Sequence, residues 1–436
     1  MNCPFWLIKW LVRLGVARWL PSVRRRLEGG TAYLHYLSDR CLATPLDGLA
    51  DLAAHWRADA PDAIDLAHVG PRLDLPPPAA ARAAAARGYP PPGGLPELRA
   101  AVADRLAGRG LAVSSVDEVL VTAGASGAFF TALDTFVNPG DRVVLFAPTS
   151  PLFALGLQHR RARVRWVPTT TEAGRLRFGM EPFTKALPGA KLLVLADPAN
   201  PTGGVLTPED LEQIAWWANK YDGLIYVDET FDRFRYEGEP VSVASFAPAR
   251  KRTLVAGSVS IGCGLASARV GWLAGHRYLV RPCAATAALT TPFVPTAPQQ
   301  SALAALRQDD GAAVAVRDAF AAKRQYAYER LTGLGLEPAW PAGGVYLWLP
   351  VAPLGLTGRA FAERLLADKR VLVAPGELYG PGGEGHVRLS YAADDGRLRE
   401  GLARLAEFVA ELRKPVMPPT TEAVPVTTAD EPISVG

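Results

Sequence analysis

The chain has 436 residues, of which 49% are hydrophobic and 21% charged, and its formal net charge at pH 7 is +4. This length and composition are typical of a folded protein with two full hydrophobic cores, and the small, interspersed charge argues against a nucleic-acid partner. The four cysteines are far apart in sequence, which argues against a zinc site or a disulfide framework and predicts a cytoplasmic protein.

The first thirty residues include an unusual apolar segment. Residues 5–20 read FWLIKWLVRLGVARWL, and three arginines follow at 24–26. The basic residues within the segment exclude a membrane-spanning helix, and no signal-peptide cleavage pattern follows. Two interpretations remain. The apolar stripe favours an N-terminal arm that packs on protein, and the alternative is an amphipathic helix at 5–26 on an anionic membrane surface.

Strand and helix patterns alternate between residues 118 and 272. EVLVT at 118–122 is followed by small residues and a helix, and KLLVLA at 191–196 is typical of a buried parallel strand. The alternation predicts an α/β fold whose mostly parallel sheet is covered by helices on both faces. Ala125 and Ser126 lie near the start of the first helix, where backbone N–H groups bind anions, so we expect them to cradle one.

Residues 253–275 read TLVAGSVSIGCGLASARVGWLAG and predict a loop between two short apolar strands. Small residues in such a loop let the backbone approach a ligand closely. Ser258 and Ser260 can donate hydrogen bonds, and Arg269 supplies a guanidinium fork that fits phosphate. This loop is therefore predicted to bind an anionic group.

A second unit begins after about residue 295. Strands are predicted at 343–348 and 371–375, and a final amphipathic helix has its apolar stripe between 398 and 412. The predicted organisation is an N-terminal arm at 1–62, a segment at 63–95 leading into the small domain, a large domain at 96–296 and a small domain at 297–413. The Pro- and Thr-rich tail at 414–436 is predicted to be disordered.

Five motifs resemble, in order and spacing, those of the class I/II aminotransferases, which are pyridoxal-phosphate enzymes of fold type I. They are YPPPGGLPELR from Tyr89, ANPTG around Asn200, DET from Asp228, SVSIGCGLASAR from Ser258, and VRLS around Arg388. The resemblance extends over residues 65–413. It implies a large α/β domain with a smaller α+β domain.

The resemblance also implies a cofactor, pyridoxal 5'-phosphate or pyridoxamine 5'-phosphate. The residues at the family's cofactor-binding positions are Tyr89, Ala125, Ser126, Asn200, Asp228, Ser258, Ser260 and Arg269. In the family, the arginine binds the phosphate, the aspartate keeps the ring nitrogen protonated, and the asparagine donates to the ring oxygen. The tyrosine reaches the phosphate of the neighbouring subunit, which implies a homodimer; the alternative for Tyr89 is an aromatic side chain within a turn.

The implied substrate is an amino acid or a keto acid. Its carboxylate would bind to Arg388, whose guanidinium can hold it through two hydrogen bonds, and Gly70 would lie nearby. Neither residue alone identifies a substrate. The expected amino-acid or keto-acid substrate rests on the order of the motifs around these two residues.

Three positions depart from the family pattern. Ile261 replaces the lysine that forms the Schiff base and moves the proton, Ser150 replaces the aromatic residue that stacks on the ring, and Phe231 replaces a tyrosine that donates to the ring oxygen. Phe153 is an alternative stacking residue, although a place in the core is favoured. A positioned proton-transfer group typically contributes about 10²–10⁴-fold, so ordinary transamination is not expected.

Three functions remain open at this point. The first is an aminotransferase-like protein that binds the cofactor noncovalently and, if it is catalytic, acts on an amino acid or keto acid. The second is a non-catalytic binding or scaffold protein. The third is an enzyme that uses the pocket for another phosphorylated ligand.

Overall fold

The computed structural model describes residues 60, 62–67, 88–238, 240–307 and 310–413. The predicted arm and membrane-surface segment, Gly70 and the predicted tail lie outside the described residues. None of the described helices combines the length and the apolar character of a transmembrane span.

The strands of the described chain are two to ten residues long. In chain order they are β1 Ile64–Asp65, β2 Val119–Thr122, β3 Arg142–Ala147, β4 Arg163–Glu172, β5 Arg175–Phe178, β6 Ala190–Ala196, β7 Leu224–Asp228, β8 Thr253–Ser258, β9 Gly271–Gly275, β10 Tyr346–Pro350, β11 Val371–Leu372, β12 Ala374–Pro375 and β13 His386–Ser390.

Helices separate most of these strands. In chain order they are α1 Pro96–Ala107, α2 Gly124–Phe136, α3 Pro151–His159, α4 Met180–Ala186, α5 Pro208–Lys220, α6 Val259–Gly262, α7 Arg277–Thr290, α8 Thr296–Leu306, α9 Asp310–Thr332, α10 Gly358–Lys369 and α11 Asp395–Leu412.

An eight-stranded sheet forms the larger unit, in the order β2-β9-β8-β7-β6-β3-β4-β5. The pairings at its centre, from β8 through β7, β6 and β3 to β4, are parallel. One face carries α2, α3 and α7, and the other carries α1, α4, α5 and α8. Because both faces are covered, the central strands are apolar throughout, and all six residues of β8 are buried.

The smaller unit is built on an antiparallel sheet in the order β10-β13-β12. Its core contains residues of α9, α10 and α11, and the stripe predicted for the final helix is buried there. The β1 strand also reaches this unit and pairs with β11. The predicted fold, a mostly parallel sheet between helices plus a smaller α+β unit, is confirmed; the predicted domain boundaries stay a prediction.

One face of the small sheet is turned toward the carboxyl ends of the large sheet. Trp348 of β10 lies directly opposite Arg388 of β13, and Tyr346 lies opposite Ser390. Directly opposed residues share a face, as do residues two apart on one strand. Tyr346, Trp348 and Arg388 are therefore presented together to the larger unit.

Candidate functional site

The loop after β8 contains a helical turn that the sequence did not predict. Ser258 caps this turn, because its Oγ accepts a hydrogen bond of 3.3 Å from the backbone N–H of Ser260. Both serine side chains are buried. Arg269 lies across the loop, and its Nη1 donates to the Oγ of Ser260 at 3.5 Å. The three polar residues predicted from this loop therefore lie together.

The guanidinium of Arg269 lies against the first turn of α2. A Cβ added at Gly124, whose backbone is at φ 72°, would lie 2.5 Å from the Nη2 of Arg269, so a larger residue there would displace the guanidinium. A Cβ added at Gly271 would lie 2.8 Å from the backbone nitrogen of Ala125, which shows how closely β9 approaches the same turn. The backbone of Arg269 is in the left-handed region, at φ 53°, a conformation that residues other than glycine seldom adopt.

The start of α2 can bind an anion. The helix begins at Gly124, so Ala125 and Ser126 are within its first turn. No side chain caps this end, and the first N–H groups of a helix have no intrahelical acceptor. Together with Arg269 and Ser260, these groups fit a phosphate by charge and by hydrogen-bond donors.

Asp228 lies at the carboxyl end of β7. Thr230 donates two hydrogen bonds to its Oδ1, from the backbone N–H at 2.9 Å and from Oγ1 at 2.5 Å. Burial raises the pKa of the Asp228 carboxyl above its usual value, although the two hydrogen bonds lower it in part. A cationic partner at this carboxyl would favour its ionised form. A protonated pyridine nitrogen is a partner of this kind.

Arg388 is buried on the small sheet and is bonded on two sides. Its Nη1 donates to the Oδ1 of Asn200 at 3.0 Å, and its Nη2 donates to the carbonyl oxygen of Ala67 at 2.5 Å. Tyr346 and Tyr379 flank it, with ring centroids 3.8 and 5.0 Å from the guanidinium carbon. Its Nε has no partner among the described residues. The arrangement can bind a carboxylate.

The two tyrosines beside Arg388 were missed by the sequence analysis. A signal for Tyr346 was present in the sequence, because aromatic residues alternate with leucines in YLWL at 346–349 and residues two apart on a strand share a face. The ring of Tyr379 comes from a short turn after β12, whose position depends on the tertiary fold.

The structure also locates the three residues that depart from the family pattern. Ile261 is partly buried and packs against the core of the smaller unit, and Phe231 is buried there with its ring 5.7 Å from that of Tyr346. Ser150 precedes α3 and has no ring to stack. Phe153 packs on Phe129 at 4.9 Å in the core of the larger unit, so it does not replace the stacking residue.

No lysine of the described chain is placed to substitute for the one that the family has at residue 261. Five of the six described lysines have partners elsewhere: Lys185 with Glu181, Lys191 with Asp141, Lys220 over Trp217, Lys323 with Asp395 and Lys369 with Glu411. The sixth, Lys251, is exposed just before β8 begins, at the opposite end of that strand from Ser258.

Tyr89 lies on the surface of the chain. Its side chain is 85% exposed, and its ring stacks on Phe293 with 4.8 Å between centroids. An exposed aromatic residue in this position is available to a second protein chain.

Residues 60–405 match the family model of aminotransferase class I and II. The chain belongs to this aminotransferase family. It is 32% identical over 331 residues to an aspartate/prephenate aminotransferase of Thermus thermophilus, covering 74% of this chain and 83% of the relative. It is 30% identical to an aspartate aminotransferase of Pyrococcus abyssi, covering 83% and 89% of the two chains.

Solved structures of the family have the same fold. An aspartate aminotransferase from Thermotoga maritima superposes with a TM-score of 0.78 at 28% identity, covering 86% of this chain and all of that one. Members of the aminotransferase family depend on pyridoxal phosphate, and the cofactor predicted from the sequence is supported for this chain. The phosphate and ring-nitrogen positions fit that group, whereas Ile261 cannot bond to it covalently.

Proposed function

We propose that this aminotransferase-family protein binds pyridoxal phosphate or pyridoxamine phosphate noncovalently and presents it to an amino acid or a keto acid. One observation carries the proposal: Arg269 lies against the uncapped start of α2, forming an anion cradle, while the neighbouring residue 261 is an isoleucine. The cradle can hold a phosphate without any covalent anchor. Wide cysteine spacing supports a cytoplasmic location.

The bound cofactor supplies a ring that accepts electrons from the bonds of the substrate α-carbon. Asp228, at the end of β7, would hold the ring nitrogen in its protonated state, because a carboxylate and a cation in contact stabilise each other's charged forms. Arg388 would orient the substrate by its carboxylate, with Asn200 fixing one side of the guanidinium. The amide nitrogen of Asn200 remains on the other side as a donor for a ring oxygen.

Proton transfer is where the site differs from an ordinary aminotransferase. Ile261 carries no titratable group, and Phe231 has no hydroxyl. The site can therefore bind the cofactor and orient the substrate, but it lacks the amine that moves a proton in the family. We expect any transamination to be far slower than the typical enzyme range of about 1–10³ per second.

A non-catalytic binding protein is the second candidate. The packing of Ile261 and Phe231 against the core of the smaller unit favours it, because both side chains add apolar contacts where the family has polar ones. The two candidates differ in single-turnover experiments. A slow conversion of bound cofactor after an amino acid is added supports the first, and no conversion over hours supports the second.

Absorbance and calorimetric titrations of the purified full chain with each cofactor form test the proposal. We expect saturable binding of both forms with one cofactor per subunit. The chain is then incubated with pyridoxal phosphate, with or without pyridoxamine phosphate, and reduced with borohydride. Mass spectrometry should find no residue whose modification is prevented by pyridoxamine phosphate. This comparison separates the site from surface lysines, which are modified at random. A protected lysine adduct would mean that a displaced lysine acts here, and absence of binding by either form would contradict the proposal.

We further propose a homodimer in which Tyr89 of one subunit completes the phosphate site of the other. Its 85% exposure supports this role. Light scattering at micromolar concentration should give a dimer. Tyr89→Phe should remain dimeric but bind pyridoxamine phosphate about tenfold more weakly, since it loses one hydrogen bond to a charged group.

Tyr278→Phe is the matched control for this prediction, because Tyr278 is also exposed, at 75%, and lies outside the phosphate site. It should leave binding unchanged. A monomer in solution, or equal binding by Tyr89→Phe and the unmodified protein, would contradict the shared site.

A further inference from the structure

A cavity lies between the two units, and none of the residues proposed to bind the cofactor lines it. Its volume is about 490 Å³, within the range of small-molecule sites. The larger unit contributes Trp166 and Thr202 to its walls, and the smaller unit contributes Trp348 and His386. A ligand held here would contact both units at once.

Three aromatic rings, those of Trp166, Trp348 and His386, line this interdomain cavity together with prolines and threonines. The rings of Trp348 and His386 are stacked, with centroids 5.0 Å apart and planes at 6° to each other. Trp166 reaches from β4 to the backbone of the smaller unit, where a Cβ added at Gly380 would lie 3.1 Å from its ring. These flat apolar surfaces suit a planar ring.

The polar groups of the cavity indicate the charge of its ligand. Glu337 is the one acidic or basic residue among the described residues lining the cavity, apart from His386, and it is exposed. Burial lowers the pKa of the His386 imidazole, which favours its neutral form. Its Nδ1 is buried and has no partner among the described residues. A phosphate or carboxylate would find no cation here, whereas an ammonium group would find a carboxylate.

The cavity is also connected to the substrate arginine. Trp348 packs edge-on against Tyr379, with centroids 5.5 Å apart, and Tyr379 flanks Arg388 at 5.0 Å. The wall of the cavity is therefore part of the packing that holds Arg388. A ligand bound against Trp348 would support this packing from the side away from the substrate.

We propose that the interdomain cavity is a binding site for a planar aromatic amine. Its ring lies against Trp166 and Trp348, and its ammonium group is directed to Glu337. The site is distinct from the cofactor cradle and does not depend on the function proposed for it.

Calorimetry with the full chain tests this site with tryptamine as the probe. Indole-3-propionate is the matched control ligand, because it carries an indole ring on a chain that ends in the opposite charge. We expect one tryptamine to bind per subunit, and indole-3-propionate to bind at least about tenfold more weakly. Equal binding of the two ligands, or no binding of tryptamine at millimolar concentration, would overturn the proposal.

Variants locate the bound amine. Trp166→Leu should weaken tryptamine binding about tenfold. Glu337→Gln should weaken it by about twofold to fivefold, because an ion pair at an exposed carboxylate contributes little, and the exposed position means that this variant should fold normally. Trp216→Leu is the control, since Trp216 is a 49% exposed tryptophan on α5 outside the cavity lining. Arg269→Ala should leave tryptamine binding unchanged. Loss of binding in that variant would place the amine in the cofactor site and refute the separate one.

Discussion

Replacing Ile261 with lysine is expected to give this protein a covalent, borohydride-reducible bond to pyridoxal phosphate that the unmodified protein lacks. Residue 261 follows Ser260 in the short turn facing Arg269, so a lysine there would start from the family's position. The isoleucine is only partly buried, and a flexible lysine can extend its amine from a half-buried site. Peptide mapping after reduction should find one cofactor per subunit on residue 261.

Ile261→Met is the matched control, because it has a long flexible side chain without an amine. It should form no reducible bond. Transamination by the lysine variant should remain well below about 1–10³ per second, because Phe231 and Ser150 still lack the hydroxyl and the ring of the family. A lysine variant without any adduct would mean that residue 261 does not face the cofactor, and the binding site would need to be reassigned.

Arg269→Ala is expected to weaken binding of pyridoxamine phosphate by about 2–3 kcal/mol, or about 30- to 150-fold. The guanidinium is the one cationic side chain that the described loop places against the start of α2, so its loss removes both charge and donors. Titration calorimetry measures the effect. Pyridoxamine phosphate is the suitable ligand because it does not modify surface lysines.

Two further variants sharpen this result. Gly124→Ala should weaken binding in the same direction, because the added Cβ would lie 2.5 Å from the Nη2 of Arg269 and must displace it. Arg277→Ala, at an exposed arginine paired with Asp117, should have no effect. If all three variants bind as the unmodified protein does, the phosphate binds elsewhere.

The sequence predicted the parts of this site that depend on local patterns. Ser258, Ser260 and Arg269 belong to one loop between two recognisable strands, and their proximity follows from that loop. Asp228 follows from the end of an apolar strand. The helical turn after Ser258 was missed, because four residues are too few to show a helical period.

Contacts between distant segments could not be predicted in the same way. Asn200 was predicted to face the ring oxygen, and its contact with Arg388 joins residues 188 apart in sequence. The approach of Arg269 to Gly124 depends on how β9 pairs with β2. Such contacts are set by the packing of whole sheets, and a periodic pattern in one segment carries no information about them.

The contacts around Arg388 have a consequence for the substrate binding that we propose. Asn200, the Ala67 carbonyl and the Tyr346 ring fix the guanidinium before any carboxylate arrives. Immobilising a long side chain on binding costs about 0.5–1.5 kcal/mol of conformational entropy. Here the side chain is already immobilised in the folded protein, so binding does not add this cost. The arginine is thus preorganised for the role that we propose: it would act as a rigid template, and the shape of the incoming acid, more than any adjustment of the protein, would decide which acids are accepted.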